Sequence, residues 1–344
     1  MANTKLNILK EDVESILLQK CNFSLLKNKT ILITGATGLI GSVLTDMLCF
    51  LNDYLSLDLK LLLISRHERK SEKACAKYIV HDVNFPFITD EKIDFIIHAA
   101  SNTHPVQYAS EPIQTITANI FGTYNLLELA AKNVGCRFIL ASSVEIYGDD
   151  KVGKLEGFSE SDCGYLDCNT IRAGYNESKR LCETLCQAYK AEKCVDFVSA
   201  RLCRAYGPTL KKDDSKVMSQ FLRNGAEKKD IILKSEGLQY YSYIYSADAA
   251  SAIIYLMLVG KTGEAYNVAG KDSNIHLKDL AKLIADYVGT KVVFDLPSDI
   301  EKKGFSKAQQ AILDISKLEN LGWKSLYTIK DGCKRTIDFI NGEE

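Results

Sequence analysis

The sequence has no long apolar run, no marked excess of either charge, and little proline or tryptophan. Its 344 residues include 5 Pro and 1 Trp, and the formal net charge is −1 at pH 7. No uninterrupted apolar stretch approaches the ~20 residues that a membrane-spanning helix requires. The nearly neutral charge balance provides no broad basic surface for nucleic acid. We therefore expect neither a membrane nor a nucleic acid as a partner.

Cysteine is present in number, but its spacing suits neither metal binding nor disulfides. The chain has 11 Cys and 5 His, and the gap between Cys163 and Cys168 is wrong for a zinc site. The first twenty residues mix Asp, Glu and Lys and lack the apolar core of a secretion signal. An odd, scattered set of thiols without an export signal predicts a reducing cytoplasm. Cys182 and Cys186 are expected on one buried helix face.

Up to about residue 203 the chain alternates between apolar strands and helices. Helices are predicted at 42–54, 119–133 and 174–193. The predicted strands are 30–34, 59–65, 77–83, 92–100, 136–143 and 195–202. Strands that are apolar on both faces and separated by helices indicate a parallel sheet covered on both sides. The predicted fold class is therefore α/β, with a Rossmann-type doubly wound parallel sheet.

A glycine-rich turn lies between the first strand and the first helix of this pattern. The stretch ILITGATGLIGS places Gly35, Gly38 and Gly41 at regular spacing. Such glycines allow a tight turn and close approach of a pyrophosphate to the helix N-terminus. The turn therefore predicts a dinucleotide site. The candidate cofactor-binding residues are Gly35, Thr37, Gly38, Leu39, Ile40, Gly41, Ser65, Arg66, Asp82, Val83, Ala99, Ala100, Ser101, Tyr175 and Lys179.

The end of the second strand bears on the choice between NAD and NADP. An acidic residue there holds the ribose 2′-hydroxyl of NAD, whereas an arginine accommodates the 2′-phosphate of NADP. This strand ends with Ser65 and Arg66 and has no acid at its tip, which favours NADP. Alternatively, Arg66 is a solvated charge or stacks on adenine. Asp82 is a predicted adenine-side contact, and His98 and His104 are expected to be structural rather than catalytic.

Tyr175 and Lys179 are spaced for hydride chemistry. They lie four residues apart in AGYNESKR, on the same side of a predicted helix. A phenol with a pKa of ~10 is a poor base at neutral pH. A nearby ammonium and the positive ring of a nicotinamide cofactor stabilise phenolate and lower that pKa. We predict that Tyr175 takes a hydroxyl proton as hydride leaves the carbon, and that Ser143 hydrogen-bonds the same oxygen.

These residues carry a resemblance to the extended short-chain dehydrogenase/reductases that modify nucleotide sugars. It runs from about residue 29 to 342, through TGATGLIG, NIFGTYNLLELA, ASSVEIYGD, ARLCRAYGP, EAYNVAG and LENLGW. The resemblance implies a tightly bound NAD(P) that first oxidises a sugar, usually at C4, to a keto intermediate and later returns the hydride. It implies a nucleotide-diphosphate-linked sugar or polyol as substrate. It also implies a homodimer formed through helices matching 119–133 and 175–192.

The residue at the position of Glu145 distinguishes subgroups of the family that the chain resembles. Many 4-epimerases carry a small or hydroxyl residue at its position, whereas 4,6-dehydratases and UDP-glucuronate decarboxylases carry glutamate. The stretch IRAGYNESKRLCETL also resembles the decarboxylases. A C–H next to a ketone is acidic enough for a positioned carboxylate to remove, and loss of water or return of the proton can follow. Glu145 is therefore the predicted base at that carbon. Alternatively, it is a structural carboxylate that accepts backbone N–H bonds.

Other positions depart from the family pattern. Val144 stands where the dehydratases have aspartate and the decarboxylases serine, and Arg204 replaces the usual asparagine before YGP. Tyr240 and Tyr241 occupy the stretch in which an arginine usually grips the substrate diphosphate. A tyrosine brings no charge to a phosphate, so another cation is expected to supply it. The candidate substrate-binding residues are Thr103, Arg204, Lys216, Arg223 and Tyr241.

These patterns divide the chain into three predicted regions. Residues 1–28 form an N-terminal helical extension, and 29–203 form the dinucleotide-binding Rossmann domain, to which later segments return. Residues 204–344 form mainly a smaller C-terminal α/β substrate lobe, in which the alternation loosens and helices are predicted at 247–259, 276–288 and 330–341.

The predicted protein is an NAD(P)-dependent nucleotide-sugar epimerase or dehydratase that acts through a transient keto intermediate. Its predicted catalytic residues are Ser143, Glu145, Tyr175 and Lys179, and no metal is predicted. One alternative is a nucleotide-sugar decarboxylase of the UDP-glucuronate type. A second is a simple NADP-dependent reductase or dehydrogenase, and a third is a non-catalytic dinucleotide sensor.

Overall fold

A parallel β-sheet forms the centre of the molecule. The computed structural model describes residues 2–102, 110–148, 157–295 and 309–342. The strand order is β3-β2-β1-β4-β5-β6-β10, and every pairing is parallel. The strands are β1 (Thr30–Thr34), β2 (Lys60–Ser65), β3 (Ala76–Val80), β4 (Phe95–His98), β5 (Arg137–Ser143), β6 (Asp196–Leu202) and β10 (Glu264–Val268). This order confirms the predicted Rossmann-type α/β fold.

Helices cover both faces of this sheet because alternate strand residues point to opposite sides. Ile31 and Ile33 belong to the core beneath helices α2 and α6, whereas Leu32 belongs to the core beneath α3 and α4. The helices are α1 (Ala2–Glu14), α2 (Leu39–Leu55), α3 (Pro112–Lys132), α4 (Ala173–Lys193), α5 (Val217–Ala226), α6 (Ser246–Val259), α7 (Leu277–Val288), α8 (Ser316–Leu321) and α9 (Ile329–Asn341).

A smaller sheet lies at the carboxyl edge of the main one. Its strand β7 (Arg204–Tyr206) begins two residues after β6 ends and pairs with β9 (Tyr240–Tyr245). Strand β9 also pairs with β11 (Asn274–His276) and β13 (Gln310–Ala311). A separate parallel pair joins β8 (Ile231–Leu233) to β12 (Val292–Phe294). The short link between β6 and β7 brings the smaller sheet next to the ends of the central strands.

The N-terminal helix α1 is fastened to the C-terminal helix α9 by a buried ion pair. Arg335 Nη2 donates to Asp12 Oδ1 at 2.8 Å, and the Tyr245 hydroxyl donates to Asp12 Oδ2 at 2.6 Å. Burial raises the pKa of Asp12 above its usual value, although the bonds from Tyr245 and Arg335 oppose that shift. Helix α1, helix α9 and strand β9 therefore meet at one carboxylate.

The described helices and the cysteines bear on the possible surroundings of the protein. None of the described helices has the length and apolar character needed to cross a membrane. All 11 cysteines are free thiols, and Cys182 and Cys186 are fully buried on helix α4, as predicted. The described parts of the chain contain no cluster of His, Cys, Asp or Glu that could hold a metal ion.

Candidate active site

The carboxyl ends of the central strands and the start of the smaller sheet border a cavity of about 770 Å³. Every candidate cofactor-binding residue named above lines it, as do Ser143 and Glu145. Of the candidate substrate residues, Arg204, Lys216 and Tyr241 line it as well. The fold therefore brings together residues that lie up to about two hundred positions apart in the chain.

One predicted substrate residue lies away from the described lining of this cavity, and another lies outside the described residues. Arg223 is not among the described lining residues, and its guanidinium donates to the carbonyls of Lys211 and Asp214 at 3.2 and 2.5 Å. Arg223 thus holds the loop before helix α5. Thr103 lies outside the described residues, and so does His104.

The glycine turn has the shape that a pyrophosphate requires. Gly35 has a φ of +74°, and a Cβ on it would lie 2.6 Å from the Ala99 carbonyl carbon. Helix α2 begins directly after Gly38, and no side chain caps its first amides. Those amides and the positive end of the helix dipole face the cavity, where they suit an anion. The residues present therefore fit a dinucleotide cofactor.

The part of the cavity next to the end of strand β2 carries basic side chains and one carboxylate. Arg66 and Arg69, which follow strand β2, both line the cavity. Ser65 Oγ accepts a hydrogen bond from the His67 amide at 3.3 Å. Asp82 Oδ1 accepts from the backbone and side-chain nitrogens of Asn84, both at 2.9 Å. Asp82 thus stabilises its own turn at the cavity wall.

Ser143, Tyr175 and Lys179 form a buried group at the centre of the cavity. The Tyr175 hydroxyl hydrogen-bonds the side chains of Ser143 and Ser101. Lys179 Nζ donates to the Ala141 carbonyl at 2.9 Å and lies 5.9 Å from the centre of the Tyr175 ring. Ser143 ends strand β5, while Tyr175 and Lys179 lie on the first turns of helix α4. Their spacing in the sequence therefore does bring them together.

The protein groups around Tyr175 favour its protonated form. Burial raises the pKa of Tyr175 to about 12, and the hydrogen bond from Ser143 only partly offsets that effect. Burial also lowers the pKa of Lys179. The protein groups alone therefore keep the phenol protonated at neutral pH, because desolvation outweighs the hydrogen bonds. The predicted lowering depends on the positive charge of the nicotinamide ring.

Glu145 lies beside this group and is held by side chains from two elements. It belongs to a 3-10 turn, Val144–Tyr147, whose first bond runs from the Glu145 amide to Ser143 Oγ at 3.2 Å. Asn176 Nδ2 donates to Glu145 Oε2 at 3.4 Å, and Arg204 Nη2 lies 3.5 Å from Oε1. The described bonds to this carboxylate thus come from side chains. The alternative in which it accepts backbone N–H bonds does not match this geometry.

A buried polar network supports the turn that carries Glu145. Ser142 Oγ donates to Glu183 at 2.5 Å, and Glu183 pairs with Arg201 at 2.7 Å. Arg201 also donates to the Tyr147 hydroxyl at 2.9 Å, which in turn donates to Asn267 at 2.6 Å. The sequence analysis missed this network and Asn176. The positions of two of these residues in the sequence could have revealed them. Asn176 directly follows Tyr175, and Glu183 lies one helical turn after Lys179.

Basic side chains predominate over acidic ones around the cavity. The only acids among its described lining residues are Asp82 and Glu145. The lysines and arginines that line it are Arg66, Arg69, Arg172, Lys179, Arg204, Lys211, Lys216 and Lys234. In a chain with a net charge of −1, this concentration of cations favours anionic ligands.

A comparison with known families decides the identity. The model described as "NAD dependent epimerase/dehydratase family" matches residues 31–269. The chain belongs to this family. It is therefore an NAD(P)-dependent enzyme of the nucleotide-sugar epimerase, dehydratase and decarboxylase group, of the lyase or isomerase kind, as the sequence predicted.

Curated relatives extend the similarity over most of the chain. UDP-glucuronic acid decarboxylase 1 of Xenopus tropicalis is 31% identical over 323 residues, which cover 92% of this chain and 73% of the relative. UDP-glucuronic acid decarboxylase 6 of Arabidopsis thaliana is 32% identical over 313 residues, covering 89% of this chain and 87% of the relative. The relatives thus belong to the group that the Glu145 region indicated.

Solved structures show the same fold. UDP-glucuronic acid 4-epimerase from Bacillus cereus, in complex with UDP-glucuronic acid and NAD, has a TM-score of 0.75 at 22% identity, covering 92% of this chain and 100% of that chain. dTDP-glucose 4,6-dehydratase from Bacillus anthracis, in complex with NAD, has a TM-score of 0.73 at 20% identity, covering 90% and 96%. At these identities the likeness concerns the fold alone.

Proposed function

We propose that this enzyme oxidises a nucleotide-diphosphate-linked sugar to a transient ketone and then acts at the adjacent carbon, with epimerisation or dehydration as the outcome. The observation that carries the proposal is the position of the Glu145 carboxylate next to the Tyr175, Ser143 and Lys179 group in one cavity. A simple dehydrogenase needs only the latter three. The carboxylate adds a base for a second proton transfer.

The first step is oxidation of a sugar hydroxyl. Bound NAD(P) supplies the hydride acceptor and a positive charge near the phenol. Tyr175 takes the hydroxyl proton, and Ser143, to which it is hydrogen-bonded, holds the same oxygen. Lys179 is anchored by the Ala141 carbonyl and keeps its ammonium near the phenol. The burial of this group excludes water, which strengthens each of these interactions.

The second step belongs to Glu145. Its carboxylate takes the proton from the carbon next to the ketone, and the electron pair of the C–H bond passes into the carbonyl. Return of a proton on the other face gives an epimer, whereas loss of a neighbouring hydroxyl gives a dehydrated sugar. In either case the hydride finally returns to the sugar, so the cofactor is not consumed.

Decarboxylation of a UDP-linked hexuronic acid is the second candidate function. It is favoured by the curated relatives at 31% and 32% identity, which are UDP-glucuronic acid decarboxylases. A ketone at C4 makes the C5 carboxylate the acid group of a β-keto acid, which loses carbon dioxide without a base. A proton from water, relayed by Glu145, would then be added to C5 of the resulting enolate. The basic lining of the cavity is compatible with such an additional negative charge.

The finer features of cofactor, domains and assembly are also part of this proposal. Arg66 and Arg69 at the end of β2 support a preference for NADP over NAD. Residues 29–203 bind the dinucleotide, residues 204–344 mainly bind the substrate, and residues 1–28 extend the fold.

Exposed Phe121, Tyr124 and Leu181 on helices α3 and α4 support a homodimer formed through these helices. The scattered free thiols support a cytoplasmic location.

The test is incubation with UDP-, dTDP-, GDP- and CDP-linked sugars and hexuronic acids in heavy water, followed by mass spectrometry of the products. Loss of water identifies dehydration, loss of carbon dioxide identifies decarboxylation, and gain of one deuterium without other change identifies epimerisation next to the ketone. The cofactor released by heating the purified enzyme is identified in the same run. Recovery of every sugar unlabelled and unchanged would contradict the keto mechanism for these substrates.

A matched pair of variants tests which residue carries out each of the two steps. We expect Glu145→Gln to lower turnover by about 10²–10⁴-fold, because the amide cannot accept the proton. It should still show hydride transfer, seen as absorbance of the reduced nicotinamide when substrate is added. Tyr175→Phe should lose that absorbance as well. Full turnover by Glu145→Gln would remove Glu145 from the mechanism.

A further inference from the structure

Arg204 is the cation nearest to the Glu145 carboxylate in the described part of the cavity, with Nη2 3.5 Å from Oε1. We propose that Arg204 is a positioning residue for Glu145, and not a ligand of the substrate diphosphate. It thereby governs the proton transfer at the carbon next to the ketone. This inference rests on the proposed function and assigns a task to the residue that replaces the asparagine before YGP.

The backbone places Arg204 where it can reach across the cavity wall. Arg204 begins strand β7, which follows β6 after a single residue, and β7 is held by its pairing of Arg204 with Tyr243 on β9. The side chains of Arg204 and Glu145 are 25% and 29% exposed. Because both are largely withdrawn from water, their attraction is screened less than that of an ordinary surface pair.

Tyr241 fixes the orientation of the guanidinium. The guanidinium carbon lies 3.6 Å from the centre of the Tyr241 ring, the distance of a stacked cation–π contact. The ring thus lies against the guanidinium, while Nη2 of the same group lies 3.5 Å from Glu145 Oε1. Nη1 is buried and has no hydrogen-bond partner among the described residues, so stacking is the main restraint on this group.

Glu145 is therefore held from two sides, by groups that belong to different elements. Arg204 approaches Oε1 from β7, and Asn176 donates to Oε2 from helix α4. Asn176 directly follows Tyr175 in the chain, so the carboxylate is fixed relative to the phenol. Lys211, Lys216 and Lys234 also line the cavity and can meet the diphosphate charge, which leaves Arg204 for Glu145.

The chemical consequence is confined to one step. Glu145 accepts the proton from the C–H bond, whose electron pair forms the enolate, and the same group later gives a proton back. Arg204 holds the carboxylate in place before this transfer and sets its direction. Oxidation of the sugar hydroxyl uses Tyr175, Ser143 and Lys179, so it does not depend on Arg204. The two steps should respond differently when Arg204 is changed.

The experiment measures both steps in Arg204→Gln, Arg204→Lys and the wild-type full chain. Hydride transfer is followed by the absorbance of the reduced nicotinamide, and proton transfer by deuterium entering the sugar from heavy water. Deuterium at C5 reports epimerisation and decarboxylation alike. We expect Arg204→Gln to retain hydride transfer within about 3-fold and to lose about 10²-fold in deuterium entry. Arg204→Lys, which keeps the charge, should recover part of that loss.

Three results would overturn the inference. Deuterium entry at the wild-type rate with a raised KM for the nucleotide sugar would make Arg204 a substrate ligand. Equal loss of both steps in Arg204→Gln and Arg204→Lys, with unchanged thermal unfolding, would give it a general role in site assembly. Deuterium entry at the wild-type rate with an unchanged KM would show that Arg204 neither positions Glu145 nor binds the substrate. By contrast, absence of both steps in the wild-type enzyme would contradict the proposed function itself.

Discussion

At the scale of single residues, His98 shows how burial controls protonation next to the cavity. Its Nδ1 lies 2.8 Å from Thr34 Oγ1, and Nε2 is buried without a hydrogen-bond partner in the described structure. Burial lowers the pKa of His98 to about 3, and the positive charge of Lys179 adds to the effect. The imidazole is therefore neutral wherever the enzyme is folded at ordinary pH.

We predict that NMR will show no protonation of the His98 imidazole between pH 8 and about pH 4. Because an unfolded histidine has a pKa of ~6.5, the unfolded chain takes up a proton first as the pH falls. The free energy of unfolding should therefore decrease as the pH drops from about 6.5 towards 3, by an amount on the order of 3–5 kcal/mol. A His98→Asn variant should lack this component. An imidazole midpoint near pH 6 would contradict the prediction.

The residues of the site differ in how far the sequence could reveal them. Ser143, Tyr175 and Lys179 were predictable because a strand end and a helical spacing of four fix their relations. The contact between Arg204 and Glu145 was not, because it joins side chains 59 residues apart through a turn and a short strand. The burial that raises the pKa of Tyr175 in the protein alone was not predictable either, since spacing says nothing about the degree of burial.

At the scale of elements, helix α3 lies close to the end of strand β4 at Gly122. A Cβ there would lie 3.1 Å from Val83 Cγ2 and 3.2 Å from His98 Nε2. Such distances are tighter than ordinary side-chain contacts, so the helix or its neighbours must move. Gly122 therefore sets the distance between α3 and the strand β4 that leads into the cavity.

We predict that Gly122→Ala lowers the free energy of unfolding by about 1–3 kcal/mol, because overpacking outweighs the gain in helix propensity. Urea unfolding of the purified protein measures this change. Thr117→Ala on the same helix, where the hydroxyl only donates to the Gln114 carbonyl near the surface, should stay within about 0.5 kcal/mol of the wild type. A stabilised Gly122→Ala protein would show that the neighbours yield without cost.

Elements with a strong apolar pattern were predicted well, and those without one were not. The strand at 30–34 has the predicted bounds, and the helix predicted at 174–193 spans Ala173–Lys193. Helix α3 begins at Pro112, seven residues before the predicted start. The prediction began too late because the first turns of the helix have no clear apolar period. Helix α5 and the short strands of the smaller sheet were missed. Those strands pair with distant segments, and no local pattern marks them.

At the scale of the whole molecule, the Asp12–Arg335 pair joins the two ends of the described chain. Asp12 is 2% exposed, and the pair is buried between helices α1 and α9. We predict that Arg335→Met lowers the free energy of unfolding by about 3–5 kcal/mol, because it leaves a buried carboxylate without its cation. The double variant Asp12→Asn with Arg335→Met should regain part of that loss. Urea unfolding of the four proteins in a double-mutant cycle measures it, and additive losses would contradict the coupling.

The same ion pair has a consequence for biosynthesis. Asp12 and Arg335 are separated by 323 residues, so a ribosome working at about 5–20 residues per second needs on the order of 15–65 s to make the second after the first. Until α9 has been made, helix α1 lacks the helix that completes its contacts. Helix α1 is thus among the last elements to finish docking, although it is made long before α9.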